Sequence, residues 1–151
     1  YYQLQEIRTA TEAKKCFVTA QVISINKLHR PPASRSNMSG RKLPSLKMYE
    51  IRDIFDTYVT LHMDRRRYFN STTVLPGIAI AFDRLRQVLI KDRAEVCRNW
   101  QEMDFIVIGG CHSREATWRL HRENPERPEF QTMQCYLYCD LTIEEARQVC
   151  F

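Results

Sequence analysis

The stretch Phe105–Leu120, "FIVIGGCHSREATWRL", decides how this chain is read. Four apolar residues end at Gly109-Gly110, and a thiol and an imidazole, Cys111 and His112, stand side by side before the pattern turns helical. An apolar run bounded by glycines reads as a buried strand. "REATWRLHRE", residues 114–123, then reads as a helix that buries Ala116 and Leu120. A strand that passes through two glycines into a helix leaves backbone N–H groups unpaired at the helix mouth. With the positive end of the helix dipole, those groups favour a phosphate or another anion. The glycines permit positive φ and close approach of a ligand. Ser113 adds a hydroxyl, and His112 or Arg114 a charge-assisted donor. The same position lowers the pKa expected of Cys111, which makes it a candidate nucleophile. The competing account is packing: Gly-Gly turns join strands to helices in many α/β proteins, and a half-buried cysteine is usually a small apolar side chain.

Outward from this point the elements alternate. "FQTMQCYLYC", residues 130–139, reads as a second strand, and "DLTIEEARQVCF" opens a helix in which Thr142 and Glu145 have capping-box spacing. Upstream, "CFVTAQVISIN" predicts a strand near 17–25. The prolines, serines, Asn37 and Gly40 of residues 31–43 form a loop. Positions 48, 51, 55, 58 and 62 fall on one helical face, giving a helix from about 44 to 62 with Pro44 in its first turn. Ile78, Phe82, Leu85 and Leu89 are spaced for a second helix, and "RAEVCRNWQE", residues 93–102, is left as strand or loop. The order β–loop–α–α–β–α–β–α implies an α/β (α+β) domain.

A length of 151 residues suits one domain spanning 1–151. The chain lacks an initiator methionine and stops inside a helical pattern, so it is expected to be a fragment of a longer protein. No apolar run approaches a membrane span, so no membrane partner is expected. The N-terminus lacks signal-peptide order, and the six cysteines show no C-x-x-C or other zinc spacing. Reduced thiols, an intracellular location and no metal bound by the side chains alone follow as expectations. The net charge of +5 permits a polyanionic partner. Arg65, Arg66 and Arg67, followed by Tyr68 and Phe69, are the candidate nucleic-acid residues, because arginines beside aromatics contact phosphates and stack on bases. A solvated helix end is the weightier account of that run.

"FIVIGGCHSREATWRL" resembles the signature of the ParB/sulfiredoxin superfamily, in which a strand, a glycine turn and a helix start bind nucleotide phosphates. "MQCYLYCDLTIEEARQV" is similar to the strand and following helix of ParB-like domains, and "KLPSL", residues 42–46, resembles the Lys-x-x-Ser-Leu helix start of sulfiredoxins. The resemblance covers residues 103–149 well and 17–50 loosely; 63–102 matches neither branch and is a candidate insertion. It implies a small mixed sheet with flanking helices. In the ParB-like branch, Gly109, Gly110, Cys111, His112, Ser113 and Arg114 would line the site for the triphosphate of CTP or ATP with Mg²⁺, in a nucleic-acid-associated protein. In the sulfiredoxin-like branch, Cys111 would be the catalytic nucleophile of an ATP-dependent reaction, with Lys42 and Ser45 positioning phosphates. Sulfiredoxins carry arginine directly after Cys-His. Here Ser113 takes that place, and Arg114 lies about 100° further around the helix. The reading therefore leans to the ParB-like branch, with a ligand-free interaction domain as the third possibility.

Overall fold

A computed structural model of the chain describes residues 16–31, 37–38, 41–42, 48–68, 74–141 and 145. β1 (Phe17–Ser24) enters a six-stranded mixed sheet, and a single 3-10 turn at Ile25–Lys27 bends the chain into β2 (Leu28–His29). β3 (Asn37–Met38) and β4 (Arg41–Lys42) form a separate antiparallel hairpin. α1 (Met48–Tyr68) follows, then β5 (Gly77–Asp83), β6 (Val88–Leu89), α2 (Arg93–Asn99), β7 (Asp104–Gly109), α3 (Cys111–Glu123) and β8 (Thr132–Tyr138). The main path across the sheet is β1-β8-β5-β7-β2, with β6 hydrogen-bonded to the end of β5. β8 is antiparallel to β1 and parallel to β5; β7 is antiparallel to β5 and parallel to β2. The fold is α+β: a small mixed sheet with flanking helices.

Alternation along the inner strands sorts the core onto two faces. Ala79, Ala81, Phe105, Val107, Cys135 and Leu137 point to one side, with Val96 of α2. Ile80, Phe82, Ile106 and Tyr138 point to the other, with Leu89 and Leu141. Each fully buried Val, Leu, Ile or Phe side chain among these contributes about 1.5–3 kcal/mol from its removal from water. Cys111 and Trp118 of α3 pack on the first face. α1 is one layer further out, and Val59 and Met63 meet Ala116 and Leu120 of α3 and Phe130.

Two expectations are corrected. Residues 78–89 are a β-hairpin, not a helix. An inner strand buried on both faces reads as an unbroken apolar run, "GIAIAF", in which helical spacing arises by coincidence. Leu85, counted on the helical stripe, is 96% exposed. The turn is made by Asp83, whose Oδ1 accepts from the N–H groups of Leu85 and Arg86 at 3.0 and 3.1 Å, with Gln87 left-handed at φ 56°. Residues 93–102, left as strand or loop, are α2 and a 3-10 turn. Asp92 caps α2 by accepting from the Ala94 N–H at 3.0 Å.

α1 runs six residues beyond its expected end, so Arg65, Arg66 and Arg67 form its last turn, where cations complement the dipole. The segment 63–102, set apart as a candidate insertion, supplies β5, an inner strand of the sheet. Of the expected C-terminal helix only Glu145 lies within the described residues; it is helical and buried. No helix among the described residues is long and apolar enough to cross a membrane.

Candidate functional site

β7 ends as Gly109 pairs with Ile78 of β5. Gly110 then adopts φ 78°, ψ 31°, the left-handed region that side chains disfavour, and becomes the N-cap of α3. A Cβ there would lie 3.4 Å from Cα of Gly77 and 3.5 Å from Cε of Met133, an ordinary contact distance. The requirement for glycine is therefore conformational rather than steric. The Arg114 N–H donates to the Gly110 carbonyl at 2.9 Å, the first bond of the helix. The amides of Cys111, His112 and Ser113 precede it. Gly110 has no side chain with which to cap this end, and the first turn holds no acidic residue.

The side chains of the motif diverge from this mouth. The Cys111 thiol donates back to the Val107 carbonyl at 3.3 Å and packs against the sheet core. His112 turns the other way, into a row of rings on α1. Its centroid is 4.9 Å from Phe55, 5.3 Å from Tyr58 and 6.3 Å from His62, which lies parallel to it within 9°. Burial pushes the His112 pKa below the usual imidazole value. His62 is lowered too, first by burial and then by the charges of His112, Arg65 and Arg66. Ser113 is half-buried, and its carbonyl accepts from the Thr117 hydroxyl at 2.7 Å.

Arg114 is drawn into the fold. Only 7% exposed, it donates through Nε to the Leu28 carbonyl at 3.2 Å and through Nη1 to Glu115 at 2.7 Å, with Trp118 beneath the guanidinium. Burial lowers its pKa, opposed by the Glu115 carboxylate. Glu115 also accepts from Arg119 at 3.2 Å, and Arg119 reaches Asp56 of α1 at 2.9 Å. This chain of contacts ties β2, α3 and α1 together and engages Nε and Nη1 of Arg114.

The arginine run divides by role. Arg66 donates to the Thr117 hydroxyl and, at 3.0 Å, to the Glu129 carbonyl, and stacks over Phe130. Arg67 pairs with Glu123 and, at 3.7 Å, with Asp64. Arg65 alone of the three is exposed with no ion pair among the described residues. Lys42 pairs with Asn37 in the separate hairpin, and Ser45 lies outside the described residues.

The ring row was missed as a site. In sequence, positions 55, 58 and 62 show only as one helical face. In the fold, that face borders the mouth of α3, and Tyr58 remains 50% exposed. Arg30, beyond β2, completes the row with its guanidinium 4.5 Å from the centre of the Phe55 ring. The i, i+3, i+7 spacing of two aromatics and a histidine was the available signal. Among the described residues, no group of three or more His, Cys, Asp or Glu could hold a metal ion. Comparison with family models, with curated proteins and with solved structures gave no match.

Proposed function

We propose that the chain is a nucleotide-binding module of the ParB-like kind serving a nucleic-acid-associated protein, with a nucleoside triphosphate (CTP or ATP) seated at the start of α3. The observation that carries this reading is the glycine at the helix start. Gly110 turns a buried strand directly into a 13-residue helix whose N-cap carries no side chain and whose first turn holds no acidic residue. Such an end is suited to a phosphate. Gly109 and Gly110 let the ligand approach the backbone, the amides of Cys111, His112 and Ser113 donate to it, and the Ser113 hydroxyl and His112 ring flank it. Mg²⁺ would arrive with the triphosphate, whose oxygens supply much of its coordination. Arg114 supports the site by holding α3 to β2. Cys111 serves packing in this reading. The sulfiredoxin-like alternative would require its thiol to leave the Val107 carbonyl before attacking a substrate.

The test is calorimetric titration of the purified chain with CTP, ATP and GTP in Mg²⁺, repeated on Ser113→Glu. An acid at the third helical position favours the helix dipole, so the variant stays folded, yet it repels phosphate. Binding that weakens at least tenfold in Ser113→Glu supports the reading. Equal binding by both proteins, or none by the parent, overturns it.

A further inference from the structure

A face next to this mouth carries chemistry that a mononucleotide does not use. Arg30, Phe55, His112, Tyr58, His62 and Arg65 lie in sequence along one side of α1. The three rings of α1 gather around His112, with Arg30 over Phe55 and Arg65 close to His62. Neither Arg30 nor Arg65 has an ion pair among the described residues. Among the described residues, the carboxylates Asp56, Asp64 and Glu115 beside this face are already engaged, Asp56 by Arg119, Asp64 by Arg67, and Glu115 by Arg114 and Arg119. The row therefore presents unneutralised positive charge together with exposed ring surface, and the positive end of α3 opens onto it. Charge complementarity selects a polyanion, and the rings select one with flat apolar units between its charges. Single-stranded nucleic acid has both. Duplex DNA keeps its bases stacked inside and would use only the arginines.

We propose that the Arg30–Phe55–Tyr58–His62–Arg65 face of α1 is a binding surface for single-stranded nucleic acid. Bases stack on Tyr58 and the imidazoles while Arg30 and Arg65 hold phosphates on either side. This specifies the nucleic-acid partner of the reading above and rests on that reading only for the expectation that such a partner exists. From residue 55 to residue 65 the helix rises about 15 Å, room for no more than about four nucleotides at 3.4 Å each. The arginine run contributes Arg65 alone, because Arg66 is held by Thr117 and the Glu129 carbonyl and Arg67 is paired with Glu123 at the surface. Ile54 and Leu61, also exposed, lie to one side of the row on the same helix. A partner helix would use them, together with Tyr58.

The experiment is fluorescence anisotropy of a labelled twelve-residue oligo-dT strand, titrated with the full chain at several salt concentrations. Arg65→Ala, Arg30→Gln, Tyr58→Ala and Leu61→Glu are run in parallel. Each substituted side chain is exposed, and circular dichroism checks that each variant folds. The expected result is salt-dependent binding, about tenfold weaker in Tyr58→Ala. The salt slope should be shallower by about 0.7 in each arginine variant. Leu61→Glu should bind within a few-fold of the parent, and matched duplex should bind more weakly than the strand. Binding untouched by Tyr58→Ala, or equal displacement by dextran sulfate in parent and Tyr58→Ala, would reduce the face to general electrostatics and overturn the proposal. No binding of the strand, with self-association abolished by Leu61→Glu, would overturn it in favour of a protein interface. The nucleotide reading is scored separately by Ser113→Glu, which leaves Arg30, Tyr58 and Arg65 intact, so either idea can fail alone.

Discussion

His62 of α1 and His112 at the start of α3 lie face to face, their ring centres 6.3 Å apart and their planes within 9°. Two imidazoles so placed resist charging together, and both are held below the ordinary imidazole pKa of about 6.5, each chiefly by burial. Arg65 and Arg66 add to the effect at His62, and Tyr58 and Phe55 face His112 without a charge to offset it. The folded chain therefore takes up protons less readily than the unfolded chain. Above about pH 6.5 both states are neutral at these positions and no stability is lost. As the pH falls through that value the unfolded state gains protons first, and stability declines until the lowered folded pKa values are passed. Urea denaturation between pH 8 and 5 should show a falling midpoint, with a shallower fall in His112→Phe. Parallel pH profiles for the two proteins would remove the pair as the cause.

Gly110 is required by its backbone and not by its neighbours. At φ 78° an added Cβ strains the main chain while meeting Gly77 and Met133 only at contact distance. Gly110→Ala should lose about 1–2 kcal/mol in chemical denaturation. A change below about 0.5 kcal/mol would mean that the turn relaxes to another conformation, in which case the mouth amides would no longer be fixed.

Much of this architecture can be read from local pattern, and the reason is visible in Phe105–Leu120. There the strand, the turn and the helix are each specified by residues adjacent in sequence. The β5–β6 hairpin is hidden in sequence because a strand buried on both faces carries no alternation, so nothing competes with the coincident helical spacing of Ile78, Phe82, Leu85 and Leu89. The site was half legible. The glycine turn announces a strand passing directly into a helix, but the directions of its side chains depend on distant partners. Arg114 answers to the carbonyl of Leu28, 86 residues away in sequence, and His112 to rings on α1. No window of local sequence contains those pairings.

The three arginines that look alike in sequence should separate in stability measurements. Arg66 serves the α1–α3 contact through Thr117, the Glu129 carbonyl and the Phe130 ring. Arg66→Ala should destabilise by about 1–3 kcal/mol, from lost charge-assisted bonds and lost packing of its stem. Arg65→Ala, at an exposed side chain, should stay within about 0.5 kcal/mol of the parent. Equal losses at the two positions would contradict the division of roles.

The thiols should react in an order set by burial. Cys97 is exposed, whereas Cys135 and Cys139 are buried, with pKa values pushed up to about 12 and about 11, first by burial. At pH 8 only roughly one Cys135 in ten thousand is thiolate, and the thiolate is the reactive form. Brief treatment of the native chain with iodoacetamide, read by peptide mass spectrometry, should label Cys97 while sparing Cys135 and Cys139 until urea is added. Early labelling of Cys135 would show that the sheet opens locally between β5 and β8.

Arg114 offers the sharpest separation of stability from ligand binding. Its guanidinium is buried against Glu115 and the Leu28 carbonyl, so Arg114→Gln leaves Glu115 with Arg119 as its remaining partner in a dry site. Removing one member of a buried charge pair typically costs about 3–5 kcal/mol, and the Arg119 contact should hold the loss near the lower end. Adding Glu115→Gln should return part of it, because the stranded charge is then gone. Arg114→Lys keeps the charge but not the forked geometry, and should be destabilised as well. If Arg114 acts only by holding α3 against β2, the folded fraction of Arg114→Lys should bind nucleotide with an affinity within a few-fold of the parent. A tenfold or greater loss of affinity without a matching loss of stability would place the guanidinium on the phosphate, and would require Arg114 to leave Leu28 when the ligand binds.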